Sequence, residues 1–120
     1  MNLTSGLEIM EDREGTGANV VSGDAVRYDV RIFLNRGDEV PMSGETKETI
    51  LGKRRVIAGV EKSLIGMRVG GYRKVRVSPH LAYGDVGVKD TIPPAAVLVI
   101  SLWLHEIVPR TPPGHPSSDE

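Results

Sequence analysis

Hydrophobic and polar residues alternate most clearly from Ala25 to Leu34. Val26, Tyr28, Val30, Ile32 and Leu34 share one phase, and Arg27, Asp29, Arg31 and Phe33 take the other. A period of two predicts a strand with one buried face. Tyr72–Ser78 repeats the pattern, with Val75 and Val77 opposed to Lys74 and Arg76. Val97–Val108 is longer and more apolar, with Leu98, Ile100, Leu102 and Leu104 in one phase. Leu7–Met10 and Thr49–Leu51 are shorter candidates. Alternation of this kind predicts an antiparallel sheet with one covered face. One segment reads as helix: Ile57, Val60, Leu64 and Ile65 form an apolar stripe over Ile57–Gly66, and Gly66 supplies a stop. A short helix against about five strands is an α+β architecture.

The intervening segments read as connections. Arg36–Lys47 is polar and contains Gly37, Pro41 and Gly44, and a second loop runs over Gly84–Pro94. Pro109, Pro112, Pro113 and Pro116 crowd the C-terminus, ahead of Ser117, Ser118, Asp119 and Glu120. The expected organisation is one domain over 1–110 and a disordered Pro/Ser-rich tail over 111–120.

Composition removes several kinds of chemistry. The 120 residues suffice for one core without metal or disulfide support. There are no cysteines, which excludes disulfides, a thiolate nucleophile and cysteine-bound metal. His80, His105 and His115 lie too far apart in sequence for a metal-ligand motif, so no metal or other cofactor is expected. With 15 basic and 16 acidic residues, the chain lacks the basic excess of a sequence-independent nucleic-acid binder. No stretch approaches the roughly 20 apolar residues of a membrane span. The expectation is a cytoplasmic monomer that binds neither nucleic acid nor membrane.

Four segments carry an identification. Val56-Ile57-Ala58-Gly59-Val60-Glu61 is followed by Gly66-Met67-Arg68-Val69-Gly70, then Ser78-Pro79-His80-Leu81-Ala82-Tyr83-Gly84, then Ile92-Pro93-Pro94-Ala95-Ala96-Val97-Leu98-Val99. In order and spacing these resemble the signature segments of the FKBP-type peptidyl-prolyl cis-trans isomerases, and Val26-Arg27-Tyr28 resembles an upstream strand of that family. The resemblance covers about residues 6–108. It implies a curled antiparallel sheet of five to six strands wrapped around one short helix, with an apolar pocket between them. It also implies catalysed rotation about the peptide bond before proline in folding or flexible protein clients. That reaction requires no acid, base, nucleophile or metal. A dry pocket favours the twisted amide, which has lost resonance, over the planar polar ground state.

By the same resemblance, Ile57 offers a backbone N–H to a substrate carbonyl, Tyr83 a hydroxyl, and Tyr28 a pocket wall. Val40, Val56, Val60, Ile92 and Ile100 are the remaining expected pocket positions. Core packing alone would also account for Tyr28, Ile57, Val56 and Ile92, and a structural role for Tyr83. The departures from the family pattern concern aromatics. Val60 stands where the family has a tryptophan, Val40-Pro41 where it has a phenylalanine–aspartate pair, Ile100 where it has a phenylalanine, and Lys47 near a further phenylalanine. Loss of aromatic pair interactions, each worth about 0.5–1.5 kcal/mol beyond area effects, predicts reduced catalysis and weak or absent macrolide binding. The alternative is a peptide- or protein-binding module with little catalysis. Trp103, in an outward strand phase, either packs under the N-terminal segment or the tail, or marks a partner surface. The charged Gly37–Glu48 loop, beside the expected pocket mouth, is a candidate for selecting clients.

Overall fold

Six strands and one helix form the regular structure of residues 2–41 and 44–108, which the computed structural model describes. In chain order they are β1 (Asn2–Thr4), β2 (Leu7–Arg13), β3 (Ala25–Leu34), β4 (Gly44–Ile50), α1 (Ala58–Leu64), β5 (Tyr72–Val77) and β6 (Leu98–Val108). A short 3-10 turn at Pro79–Leu81 follows β5. The strands form one antiparallel sheet in the order β1-β2-β5-β6-β3-β4.

Strand phase decides what the sheet buries. On β3, Val26, Tyr28, Val30 and Ile32 are buried while Arg27, Asp29, Arg31 and Phe33 are not. Leu98, Ile100, Leu102 and Leu104 on β6 and Val75 and Val77 on β5 face the same way, and together they make the core on which α1 rests. Val60 and Leu64 form the buried stripe of α1, with Ile57 and Ile65 half-buried at its ends. The helix lies very close to β5. A Cβ at Gly59 would stand 2.5 Å from the Val77 Cγ1 and 3.1 Å from the Leu81 carbonyl oxygen. Glycine is therefore the residue that lets α1 reach the sheet.

The C-terminal end of α1 is tied down by a buried cation. Arg73 occupies an inward position on β5 and donates from Nη1 to the Ser63 carbonyl at 2.9 Å. That carbonyl belongs to the last turn, where helix C=O groups run out of intrahelical donors. Asp12 on β2 accepts from the same guanidinium at 3.3 and 3.4 Å. One side chain thus joins β5, β2 and α1.

Four register shifts shape the sheet. The β3–β4 pairing runs Tyr28↔Lys47 and then Val30↔Gly44, so two residues of β4 oppose Asp29 alone. Across the other edge of β3, the pairing shifts between Arg27↔Glu106 and Tyr28↔Leu104, which leaves His105 extra. Asp29 links the two bulges. Its Oδ1 accepts from the Thr46 N–H at 2.6 Å, and His105 Nε2 lies 3.0 Å away. Thr46, with φ 52°, is the left-handed residue of the β4 bulge. The other two lie between Asn2 and Thr4 on β1 and between Ile9 and Glu11 on β2.

Several expectations are corrected. β4 begins at Gly44, inside the stretch expected to be a loop over Arg36–Lys47. It is an edge strand, and its charges and threonines give no apolar alternation to read. β2 continues past Met10 through Glu11, Asp12 and Arg13 for the same reason. The helix ends at Leu64, with Ile57 as its extended N-cap and Ile65 as its C-cap. Trp103 sits beside its cross-strand partner Tyr72, ring centroids 5.0 Å apart and planes at 42°, and the Arg13 guanidinium covers the Tyr72 ring at 4.8 Å. The tail expected over 111–120 lies outside the described residues. Among the described residues, no helix is long and apolar enough to cross a membrane.

Candidate functional site

A cavity of about 450 Å³ opens between α1 and the inward face of β3 and β4. Its wall is aliphatic: Val30 and Ile32 from β3, Val56 and Ile57 from the segment entering α1, and Val60 from the helix itself. Tyr28 and Tyr83 contribute two phenol rings, and Lys47, Arg54 and Arg55 contribute three cations.

Each feature has a local cause. Ile57 takes an extended conformation (φ −60°, ψ 151°) as the N-cap, and its carbonyl accepts from the Val60 and Glu61 N–H groups at 3.1 Å. Its own N–H precedes the helical bonds and donates to no described residue, as expected at a helix start. Tyr83 is held by the chain on both sides of it. The Ala82 and Gly84 N–H groups both donate to the Pro79 carbonyl, at 2.9 and 2.8 Å, and the Gly87 N–H donates to the Tyr83 carbonyl at 3.0 Å. Gly84, at φ +63°, supplies the left-handed step after the tyrosine. Tyr28 is in the buried phase of β3 and is 3% exposed.

The electrostatics keep both phenols neutral. Burial raises the Tyr83 hydroxyl above its ordinary pKa of 10.0. Burial also raises Tyr28, with a further contribution from the neighbouring Tyr83. Neither hydroxyl bonds to a described residue, so both are protonated donors with free capacity at neutral pH. The cavity can thus receive a small apolar ring against the aliphatic wall and offer N–H and O–H donors to carbonyls beside it. Thr49 on β4 keeps a buried Oγ1 with no partner among the described residues.

Of the residues singled out in the sequence, Tyr28, Val56, Ile57, Val60 and Tyr83 come together on the cavity. Val40, Ile92 and Ile100 do not reach its lining. They are 2%, 3% and 0% exposed and pack in the core behind it. Val40 is anchored there by its N–H, which donates to the Ile32 carbonyl at 2.7 Å. Ile100 lies in mid-sheet between Ile32 and Val75, and Ile92 is closed into a tight turn by a bridge to Val88. Val30, Ile32, Arg54 and Arg55 were missed as lining residues, and Lys47 was seen only as the occupant of an aromatic position. The signal for Lys47 was available: it is in phase with the buried Thr49 and Leu51.

Comparison with known proteins agrees with this geometry. The family model described as FKBP-type peptidyl-prolyl cis-trans isomerase matches residues 17–105. FK506-binding protein 1A of Neurospora crassa is 35% identical over 103 residues, covering 82% of this chain and 86% of that protein. FK506-binding protein 4 of Chaetomium thermophilum is 37% identical over 109 residues, 89% of this chain, but the chain spans only 22% of that relative's length. A crystal structure titled AtFKBP13 superposes with a TM-score of 0.76 at 26% identity, covering 87% of this chain and 94% of that one.

Proposed function

The chain belongs to the FKBP-type peptidyl-prolyl cis-trans isomerase family, and from that premise we propose that it accelerates rotation of Xaa-Pro peptide bonds in protein clients. The observation that carries the reading is the pairing of an aliphatic wall with two unspent donors, the Ile57 N–H and the Tyr83 hydroxyl. A proline ring rests against Val30, Val56, Ile57 and Val60. There the amide is shielded from water, which stabilises its planar, polar ground state more than the twisted state. The uncatalysed barrier is about 18–20 kcal/mol. Each donor that holds the twisted chain lowers it by about 0.5–1.5 kcal/mol, and shape complementarity to the ring supplies the rest. Tyr28 closes the inner end of the wall.

Val60 and Lys47 in place of aromatic residues make the wall less shaped to a flat ligand. In this reading catalysis is reduced relative to an aromatic-walled site, and macrolide binding is weak or absent. The same proposal takes the domain as a cytoplasmic monomer without cofactor. It predicts that a client whose slow refolding phase is limited by proline isomerisation refolds faster when the protein is added in catalytic amounts. A slow phase unchanged at equimolar protein would leave a module that binds without turnover.

A further inference from the structure

The cavity mouth is cationic. Lys47 lies on β4 opposite Tyr28, and Arg54 and Arg55 lie on the turn between β4 and α1. All three are exposed, whereas the aliphatic lining is buried or half-buried, so the charges form the outer rim of the site. Most other surface cations on the sheet are ion-paired, Arg27 with Glu48 and Glu106, Arg31 with Glu39, Lys74 with Glu11 and Arg76 with Glu8, while Arg13 lies over the Tyr72 ring. The side chains of Lys47, Arg54 and Arg55 form no ion pair or hydrogen bond with a described residue, and no carboxylate is among the described lining residues. In a chain of formal net charge −1, three uncompensated cations converge on one opening.

Their position follows from backbone features. The β4 bulge opposite Asp29 sets the register that pairs Lys47 with the inward-facing Tyr28. A shift of one residue would send it to the outer face. Arg54 takes a left-handed φ of 57° in the turn that precedes Arg55 and the apolar Val56. Both features aim cations at the place where the client chain must enter.

We propose that this site selects prolines flanked by an anionic side chain, either a carboxylate or a phosphate. The proposal rests on the isomerase reading and specifies its substrate class. An extended chain advances about 3.3 Å per residue, so with the proline ring on the aliphatic wall, the adjacent side chain lies at the rim. Lysine and arginine stems are long enough to meet an anion there, at the border of an apolar wall where Coulomb attraction is stronger than in open water. The expected preference over a neutral residue is roughly 3- to 30-fold at low salt, set by three partly solvated pairs, and it shrinks as added salt screens them.

The test uses four peptides that differ only in the residue before proline: alanine, lysine, glutamate and phosphoserine. Exchange NMR gives the catalysed rate for each, normalised to that peptide's own uncatalysed rate. Chemical-shift titration gives each dissociation constant in parallel. The proposal predicts glutamate and phosphoserine above alanine and lysine below it, with the order inverted in the triple variant K47E/R54E/R55E. Phosphoserine well above glutamate assigns phosphorylated clients; equal values assign acidic clients generally. Equal rates and affinities for all four peptides overturn the selectivity and leave the isomerase standing. Acceleration of none of the peptides overturns the isomerase reading, and the binding order then decides the selectivity on its own.

Discussion

Replacing Arg73 with methionine tests whether a single buried guanidinium holds the helix to the sheet. Methionine keeps most of the length and apolar contact and removes the donors. The bond from Arg73 Nη1 to the Ser63 carbonyl is 2.9 Å, and Arg73 is 9% exposed, so its loss leaves a carbonyl in the last helical turn without a partner. A charged hydrogen bond of this kind contributes about 1.5–3 kcal/mol. Asp12 adds little, because its side chain is 41% exposed and its bonds are 3.3 and 3.4 Å; such pairs contribute about 0.2–1 kcal/mol. The net expectation is a loss of about 2–3 kcal/mol. At an unfolding entropy of about 2.1 cal/mol/K per residue over a domain of about a hundred residues, each kcal/mol shifts the midpoint by about 4–5 °C. Arg73→Met should therefore melt roughly 8–15 °C below the wild type, and Asp12→Asn roughly 1–4 °C below. Circular dichroism melts of the two variants decide the matter. If Asp12→Asn costs as much as Arg73→Met, the ion pair and not the helix carbonyl is the structural contact. If neither shifts the midpoint, the clamp contributes nothing.

Three further outcomes follow from local geometry. Gly59→Ala gains about 1 kcal/mol of helix propensity but forces a Cβ against Val77 and the Leu81 carbonyl, for a net destabilisation of about 1–2 kcal/mol by denaturant titration; a more stable variant would refute the close approach. Thr49→Val removes the orphaned Oγ1 and should raise the denaturation midpoint by about 1 kcal/mol in stability, while a loss would reveal a partner for that hydroxyl. Asp29 is held below its ordinary value of 3.8, chiefly by the Thr46 N–H and secondarily by His105. Its stabilising contribution is therefore present above that value and lost as the pH falls through the lowered one. The stability gap between wild type and Asp29→Asn should be open at pH 6 and narrow as the pH falls below 3.8; a gap that stays constant on acidification would contradict the assignment.

The central elements were legible because burial imposes a period on them. On β3 and β6 the inward positions are apolar, β5 follows the same period with Arg73 as its one buried cation, and α1 needs Val60 and Leu64 one turn apart. The edges were not legible. In β4 the sheet needs only backbone hydrogen bonds on one side, and Glu48 and Lys47 serve as well as any apolar residue. The site divides in the same way. Tyr28, Ile57, Val60 and Tyr83 could be placed through the family motifs, since those motifs carry the turns that position them. Val40, Ile92 and Ile100 were placed on the cavity by resemblance, but aliphatic side chains at those positions pack into the core behind it. Lys47, Arg54 and Arg55 read as solvated charges, because sequence alone does not show that a bulge and a left-handed turn bring them to one opening.

The most direct test of the account is the cis–trans exchange rate of a short Ala-Pro peptide, measured by NMR with the wild-type protein and with Tyr83→Phe. The account predicts acceleration by the wild type and a roughly 3- to 10-fold smaller effect in the variant, the contribution of one neutral donor. Because burial raises the Tyr83 hydroxyl above its ordinary value of 10.0, the donor stays protonated and the wild-type rate should hold level up to that pH. An exchange rate unchanged by the protein, or one equal for wild type and Tyr83→Phe, would contradict catalysis in this cavity.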